Sequence, residues 1–192
     1  MKKVLILGAG GNIAGRVIRI LSNEKDIQMQ LFVRNKNRLS VKDNSSCTII
    51  EGDVLNVTDL IQAMTSVDIV YANLSGELGL MAQNIVSAMN KTGVKRLIFI
   101  SSIEIYDIPL KPVLKPYRAA ADAIESSTLD YTIIRPAWFT GTNEVDYELT
   151  KKGQPERGSV ISMLSLATFI AELIKSPELH IRKSLGINKP NS

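Results

Sequence analysis

Apolar residues in this chain fall into short unbroken runs and helical stripes, and the two alternate over the first 136 positions. Residues 4–7, all apolar, have the composition of a strand buried on both faces. Ile13, Val17, Ile20 and Leu21 follow at offsets of four, seven and eight, which is one face of a helix. Further strands are predicted at 28–33, 48–50, 67–71, 96–100 and 131–135, the last ended by Pro136. One helix between them carries Leu78, Met81, Ala82, Ile85, Val86 and Met89 on a stripe that Gly93 terminates. Another is predicted over 117–127.

Strands alternating with helices are the signature of an α/β fold, a doubly wound parallel sheet. After Pro136 the alternation breaks down into a polar stretch reaching Ser159. A further helix through Leu166, Ile170 and Ile174 and a short strand near 184–187 complete the chain. About fifty residues are too few for an independent core. The reading is therefore a single domain, 1–192, in which 137–192 form a small lid or substrate-side appendage.

The first strand feeds directly into Gly8, Gly10, Gly11, Asn12 and Ile13 before the helix continues. Strand, glycine turn and helix in that order put open backbone N–H groups and a positive helix end at one spot, which suits a pyrophosphate. Gly8 permits a tight turn, Gly11 lets a phosphate approach, and Ala14 lets the helix lie close to the strand. The spacing is G-x-x-G-x-x-A, with Ile13 where the usual dinucleotide pattern has its last glycine. A tight turn with nothing bound is the structural alternative.

Composition narrows the classes. With 45% hydrophobic and 22% charged residues the chain is ordinarily globular, and no apolar run approaches the roughly 18 residues of a membrane span. The apolar start is too short and too soon glycine-rich for a signal peptide, so a cytoplasmic protein is expected. A single cysteine excludes an internal disulfide, and His180 has no partner at metal-ligand spacing, so no metal is expected. The net charge of +4 comes from scattered Lys and Arg, which fits an anionic small molecule and gives no reason to invoke nucleic acid or membrane. The sequence leaves monomer and homodimer open.

Arg34 closes the second strand, where an acidic residue would meet the ribose hydroxyls of NAD(H), and Lys36 and Arg38 follow it. An arginine fork suits a 2′-phosphate, so NADP(H) is preferred over NAD(H), against the alternative of a solvated basic loop. After the third strand, Asn56 and Asp59 suffice to cap the next helix. Asp53 is then free to accept an adenine amino group, and the Val54 N–H to donate to the ring; a plain turn aspartate is equally compatible.

Together the glycine turn, Arg34, Gly52-Asp53-Val54, Ser101-Ser102, Tyr117 and the run from Tyr131 to Pro136 resemble the atypical short-chain dehydrogenase/reductases, NmrA-like branch. That resemblance implies a Rossmann-like fold with NADP(H) across the carboxyl edge of the sheet. It implies that the turn residues meet the pyrophosphate, Arg34 and Arg38 the adenosine phosphate, and Asp53 and Val54 the adenine. Ala72 and Asn73 would flank the ribose. Ser101 and Ser102 would lie near the nicotinamide, with Pro136, Ala137 and Trp138 closing that side, although Trp138 is equally readable as a core aromatic.

Members of the wider superfamily pair a tyrosine with a lysine four residues on; here Tyr117 is followed by Ala121. A phenol at its reference value of about 10 costs about 4 kcal/mol to ionise at neutral pH. Ser102 and Tyr117 are the candidate catalytic residues, Tyr117 reading more readily as a structural or substrate-stacking residue than as a proton donor, and Tyr106 is a weaker candidate. The expected function is an NAD(P)H-dependent oxidoreductase passing hydride to a small flat acceptor, a flavin, quinone or carbonyl compound, without a Tyr/Lys pair. The alternative is a non-catalytic NADP(H)-binding redox sensor.

Overall fold

In the computed structural model of the chain, residues 1–39 and 47–192 are described, the Arg38 side chain excepted. Six strands and four helices alternate through the first 136 residues: β1 (Lys2–Leu7), α1 (Asn12–Leu21), β2 (Ile27–Val33), β3 (Cys47–Glu51), α2 (Val57–Ala63), β4 (Ile69–Ala72), α3 (Leu78–Thr92), β5 (Arg96–Ile100), α4 (Lys115–Glu125) and β6 (Asp130–Pro136). The remainder holds β7 (Trp138–Thr140), β8 (Glu148–Lys151), β9 (Val160–Ser162), α5 (Met163–Lys175) and β10 (Lys183–Asn188).

The main sheet has eight strands in the order β3-β2-β1-β4-β5-β6-β10-β8, parallel except for β8 at the edge. Alternate residues of β1 serve two cores: Val4 and Ile6 face α1 and α5, and Leu5 and Leu7 face α2, α3 and α4. A strand buried on both faces reads as a continuous apolar run, which is why β1 was evident without a period. The order reverses between β1 and β4, and a crevice at their carboxyl ends is where open sheets of this kind bind ligands.

Two boundaries differ from expectation for local reasons. Helix α4 begins at Lys115 because Pro116 is suited to a first helical turn, and it ends at Glu125, where the Ser126 and Ser127 hydroxyls donate back to the carbonyls of Asp122 and Ile124. The region after Pro136 also contributes more to the body than a lid. Helix α5 is buried along most of its surface in the α1 core, and β10 pairs in parallel with β6. Only the two-stranded β7-β9 pair and its loops stand outside the main sheet, since β8 is hydrogen-bonded to β10.

Candidate functional site

At the end of β1, Gly8 has φ +79°, and a Cβ there would lie 2.1 Å from the Asn73 carbonyl oxygen. A Cβ on Gly11 would lie 2.9 Å from Asn73 Nδ2. Gly8 is thus demanded by the backbone of the loop leaving β4, a tertiary reason added to the expected tight turn, whereas at Gly11 only the end of the Asn73 side chain would have to shift. Gly11 caps α1 without a side-chain bond, and the first intrahelical bond is Gly15 N–H to Gly11 O at 2.9 Å. The amides of Asn12, Ile13 and Ala14 precede that bond and have no intrahelical acceptor. Ile13 has its side chain buried in the α1–α5 core, so only its backbone is available, and Ala14 is fully buried as close packing requires.

A cleft of about 240 Å³ opens beside this turn. Of the residues singled out from sequence, Gly8, Gly10, Gly11, Arg34, Asp53, Val54 and Asn73 line it. Phe32, Leu74 and Met81 supply apolar wall that went unforeseen. Arg34 is exposed and forms no ion pair among the described residues. The next residue, Asn35, accepts the Asn37 N–H at 2.9 Å and shapes the short 3-10 turn that follows. The side chain of Arg38 lies outside the described residues.

On the facing wall, Asn56 caps α2 by accepting the Thr58 N–H at 3.0 Å, as its position foretold. Asp53 makes the turn contact, Oδ1 accepting the Leu55 N–H at 2.9 Å, while Oδ2 has no donor among the described residues. Asp59 accepts the Asp53 N–H at 3.0 Å, and Asn84 Nδ2 donates to the carbonyls of Val54 (3.2 Å) and Leu55 (3.1 Å). Asn84 carried no sequence signal, because the bond spans 30 residues.

Ala72 is fully buried as the last residue of β4 and does not line the cleft, nor do the residues assigned to the nicotinamide side, which lie further along the carboxyl edge. Ser101 is buried with no hydrogen-bond partner for its hydroxyl among the described residues, and Ser102 is half-buried. The Ile103 N–H donates to the Pro136 carbonyl at 3.2 Å, tying the loop after β5 to the end of β6. Ala137 is buried, its N–H bonded to the Ile187 carbonyl at 3.1 Å. Trp138 is 75% exposed, which removes its reading as a core aromatic. Tyr117 is half-buried at the margin of the α3–α4 core, and Ala121, in the lysine position, is fully buried.

Tyr106, the weaker candidate, is tied into the fold through its hydroxyl. Its hydroxyl donates to Glu125 at 2.8 Å and contacts Ser184 at 3.0 Å, while burial, more than any neighbour, pushes its pKa well above the ordinary phenol value. The Lys152 ammonium lies 4.2 Å from its ring centroid.

A crevice at the β1/β4 reversal, lined by the glycine turn, by an arginine with no ion-pair partner among the described residues and by Asp53, defines a Rossmann-type dinucleotide-binding protein of the atypical short-chain dehydrogenase/reductase kind. The NAD(P)H-binding family matches residues 8–177, and the chain belongs to it. A Rossmann-fold NAD(P)-binding family protein from Shigella flexneri is 47% identical over 100% of this chain and 95% of its own, with a TM-score of 0.93. A short-chain dehydrogenase/reductase from Veillonella parvula, solved in complex with NADP, is 26% identical over 98% of this chain and 95% of its own, with a TM-score of 0.89. Among curated sequences, the UPF0659 protein YMR090W of Saccharomyces cerevisiae is 27% identical over 98% of this chain and 94% of its own. This is an oxidoreductase-type family of NAD(P)-binding proteins, and no helix among the described residues is long and apolar enough to cross a membrane.

Proposed function

We propose that the protein is an NADPH-dependent reductase of a small flat acceptor, a flavin, quinone or carbonyl compound. The observation that carries the reading is the single cleft onto which the glycine turn, Arg34 and Asp53 all open. Amides of the first turn of α1 receive the paired phosphates, Arg34 the 2′-phosphate, and Asp53 with the Val54 N–H the adenine. Further along the edge, the buried, unpartnered Ser101 hydroxyl offers a hydrogen bond beside the nicotinamide. Pro136 and Ala137 back that side, with Trp138 exposed above it as an apolar surface for the acceptor. The relative from Veillonella parvula, crystallised with NADP, supports the cofactor preference.

A bound reduced nicotinamide supplies the hydride; the chain contributes binding, orientation and exclusion of water. With Ala121 in place of a lysine, α4 presents no cation one turn beyond Tyr117. Acceptors whose reduced forms take a proton from water or from the Ser102 hydroxyl suit such a site. The same Ala121 favours a second reading, a sensor that binds NADP(H) without turnover. The deciding assay is loss of NADPH absorbance with a panel of flavins, quinones and carbonyls. Consumption with at least one acceptor is expected; tight binding with no consumption across the panel refutes the reductase and leaves the sensor.

A further inference from the structure

The loop after β3 is held from two helices, and the way it is held acts on one carboxylate. From α2, Asp59 accepts the Asp53 N–H with Oδ2 and the Asn56 side-chain amide with Oδ1, at 3.0 and 2.9 Å. From α3, Asn84 Nδ2 donates to the Val54 and Leu55 carbonyls. The Val54 carbonyl and the Leu55 N–H belong to one planar peptide unit, so fixing one end fixes the other. That N–H is the donor to Asp53 Oδ1, at 2.9 Å. The contact therefore runs from Asn84 through the 54–55 peptide to the Asp53 side chain, and capping of α2 does not require it, because Asn56, held by Asp59, performs that.

We propose that Asn84 is a positioning residue for purine recognition: by clamping the 54–55 peptide it commits Asp53 Oδ1 to Leu55 and leaves Oδ2 turned to a 6-amino group. The inference rests on the reading of the cleft as the seat of the adenosine half of NADPH. A carboxylate oxygen accepts from a 6-amino group and repels a 6-oxo group, so its orientation decides between adenine and hypoxanthine. Without the clamp the peptide can turn, Asp53 changes rotamer, and discrimination falls while the phosphate contacts persist.

The test is calorimetric titration of the full chain with NADPH, with its hypoxanthine analogue, and with reduced nicotinamide mononucleotide, which lacks the adenosine half. The wild-type protein is expected to bind NADPH more tightly than the analogue by about tenfold or more. In Asn84→Ala, and in the isosteric Asn84→Asp, which sets an acceptor against two carbonyls, that ratio should fall to about two or less, with mononucleotide affinity unchanged. A ratio unaltered in both variants overturns the proposal, as does a wild-type ratio near one. Hydrogen exchange on the wild-type chain gives a reading that needs no variant: the Leu55 amide should be protected without cofactor, and unprotected exchange overturns the clamp. Failure of the wild-type protein to bind any nicotinamide dinucleotide is a different result and removes the nucleotide reading of the cleft itself.

Discussion

Arg34 stands at the end of β2 with its guanidinium in solvent and no carboxylate partner among the described residues. A cation so placed on a cleft gains a charge-assisted contact only from a ligand that carries a phosphate there. Arg34→Ala should weaken NADPH by about 1.5–3 kcal/mol and leave NADH nearly unchanged, measured by calorimetry; equal losses refute the 2′-phosphate assignment. Tyr117 gives the opposite kind of prediction. A positioned general acid contributes about 10²–10⁴-fold, so if the acceptor needs none, Tyr117→Phe should keep kcat with a quinone or flavin within about threefold. A hundredfold fall would make Tyr117 the proton donor despite Ala121.

At the scale of elements, two glycines of the same strand-turn-helix unit separate cleanly. Gly8 is left-handed and backed by the Asn73 carbonyl, whereas a Cβ on Gly15, inside α1, would meet nothing within 4 Å. Gly15→Ala should stabilise the protein by about 0.5–1 kcal/mol in urea unfolding, through helix propensity and lost unfolded-state freedom. Gly8→Ala should cost on the order of 1–3 kcal/mol from backbone strain alone, with the overlap against Asn73 added. Sequence made this unit legible because its determinants are adjacent: an apolar run, a glycine turn and a helical stripe within 21 residues. It did not show that Asn73 backs Gly8 and Gly11, or that Asn84 grips residues 54 and 55, because those contacts join distant segments. Helix α5 was correctly read as a helix, yet its packing on α1 and the pairing of β10 with β6 were hidden by the irregular stretch between. Strands β7, β8 and β9, three or four residues each, are too short to set up a period.

Across the whole molecule the two faces of the sheet are closed differently. Helices α1 and α5 cover one face as far as β10, which turns Leu185 and Ile187 into that core. The other face runs out of helix after α4, and there β10 presents Ser184, Gly186 and Asn188. Charge fills the gap: Glu156 pairs with Arg135 of β6, and a Cβ on Gly186 would collide with the Glu156 carboxylate. Burial holds the Glu156 carboxyl above its ordinary range, and the attraction of Arg135 only partly offsets it. Between the ordinary and the raised value the native state therefore binds a proton that the unfolded chain has already released. That contribution to stability is present below the ordinary carboxylate pKa and is lost as pH rises through the raised value. Glu156→Gln should abolish this slope in urea unfolding followed from mildly acidic to neutral pH. Arg135→Met should lose about 3 kcal/mol at neutral pH, where it strands a buried carboxylate, and regain part of that loss as acid protonates Glu156. A loss in Arg135→Met independent of pH would mean that the contact of the Arg135 guanidinium with the Tyr106 ring, 5.4 Å from its centroid, and not the ion pair, closes this end of the sheet.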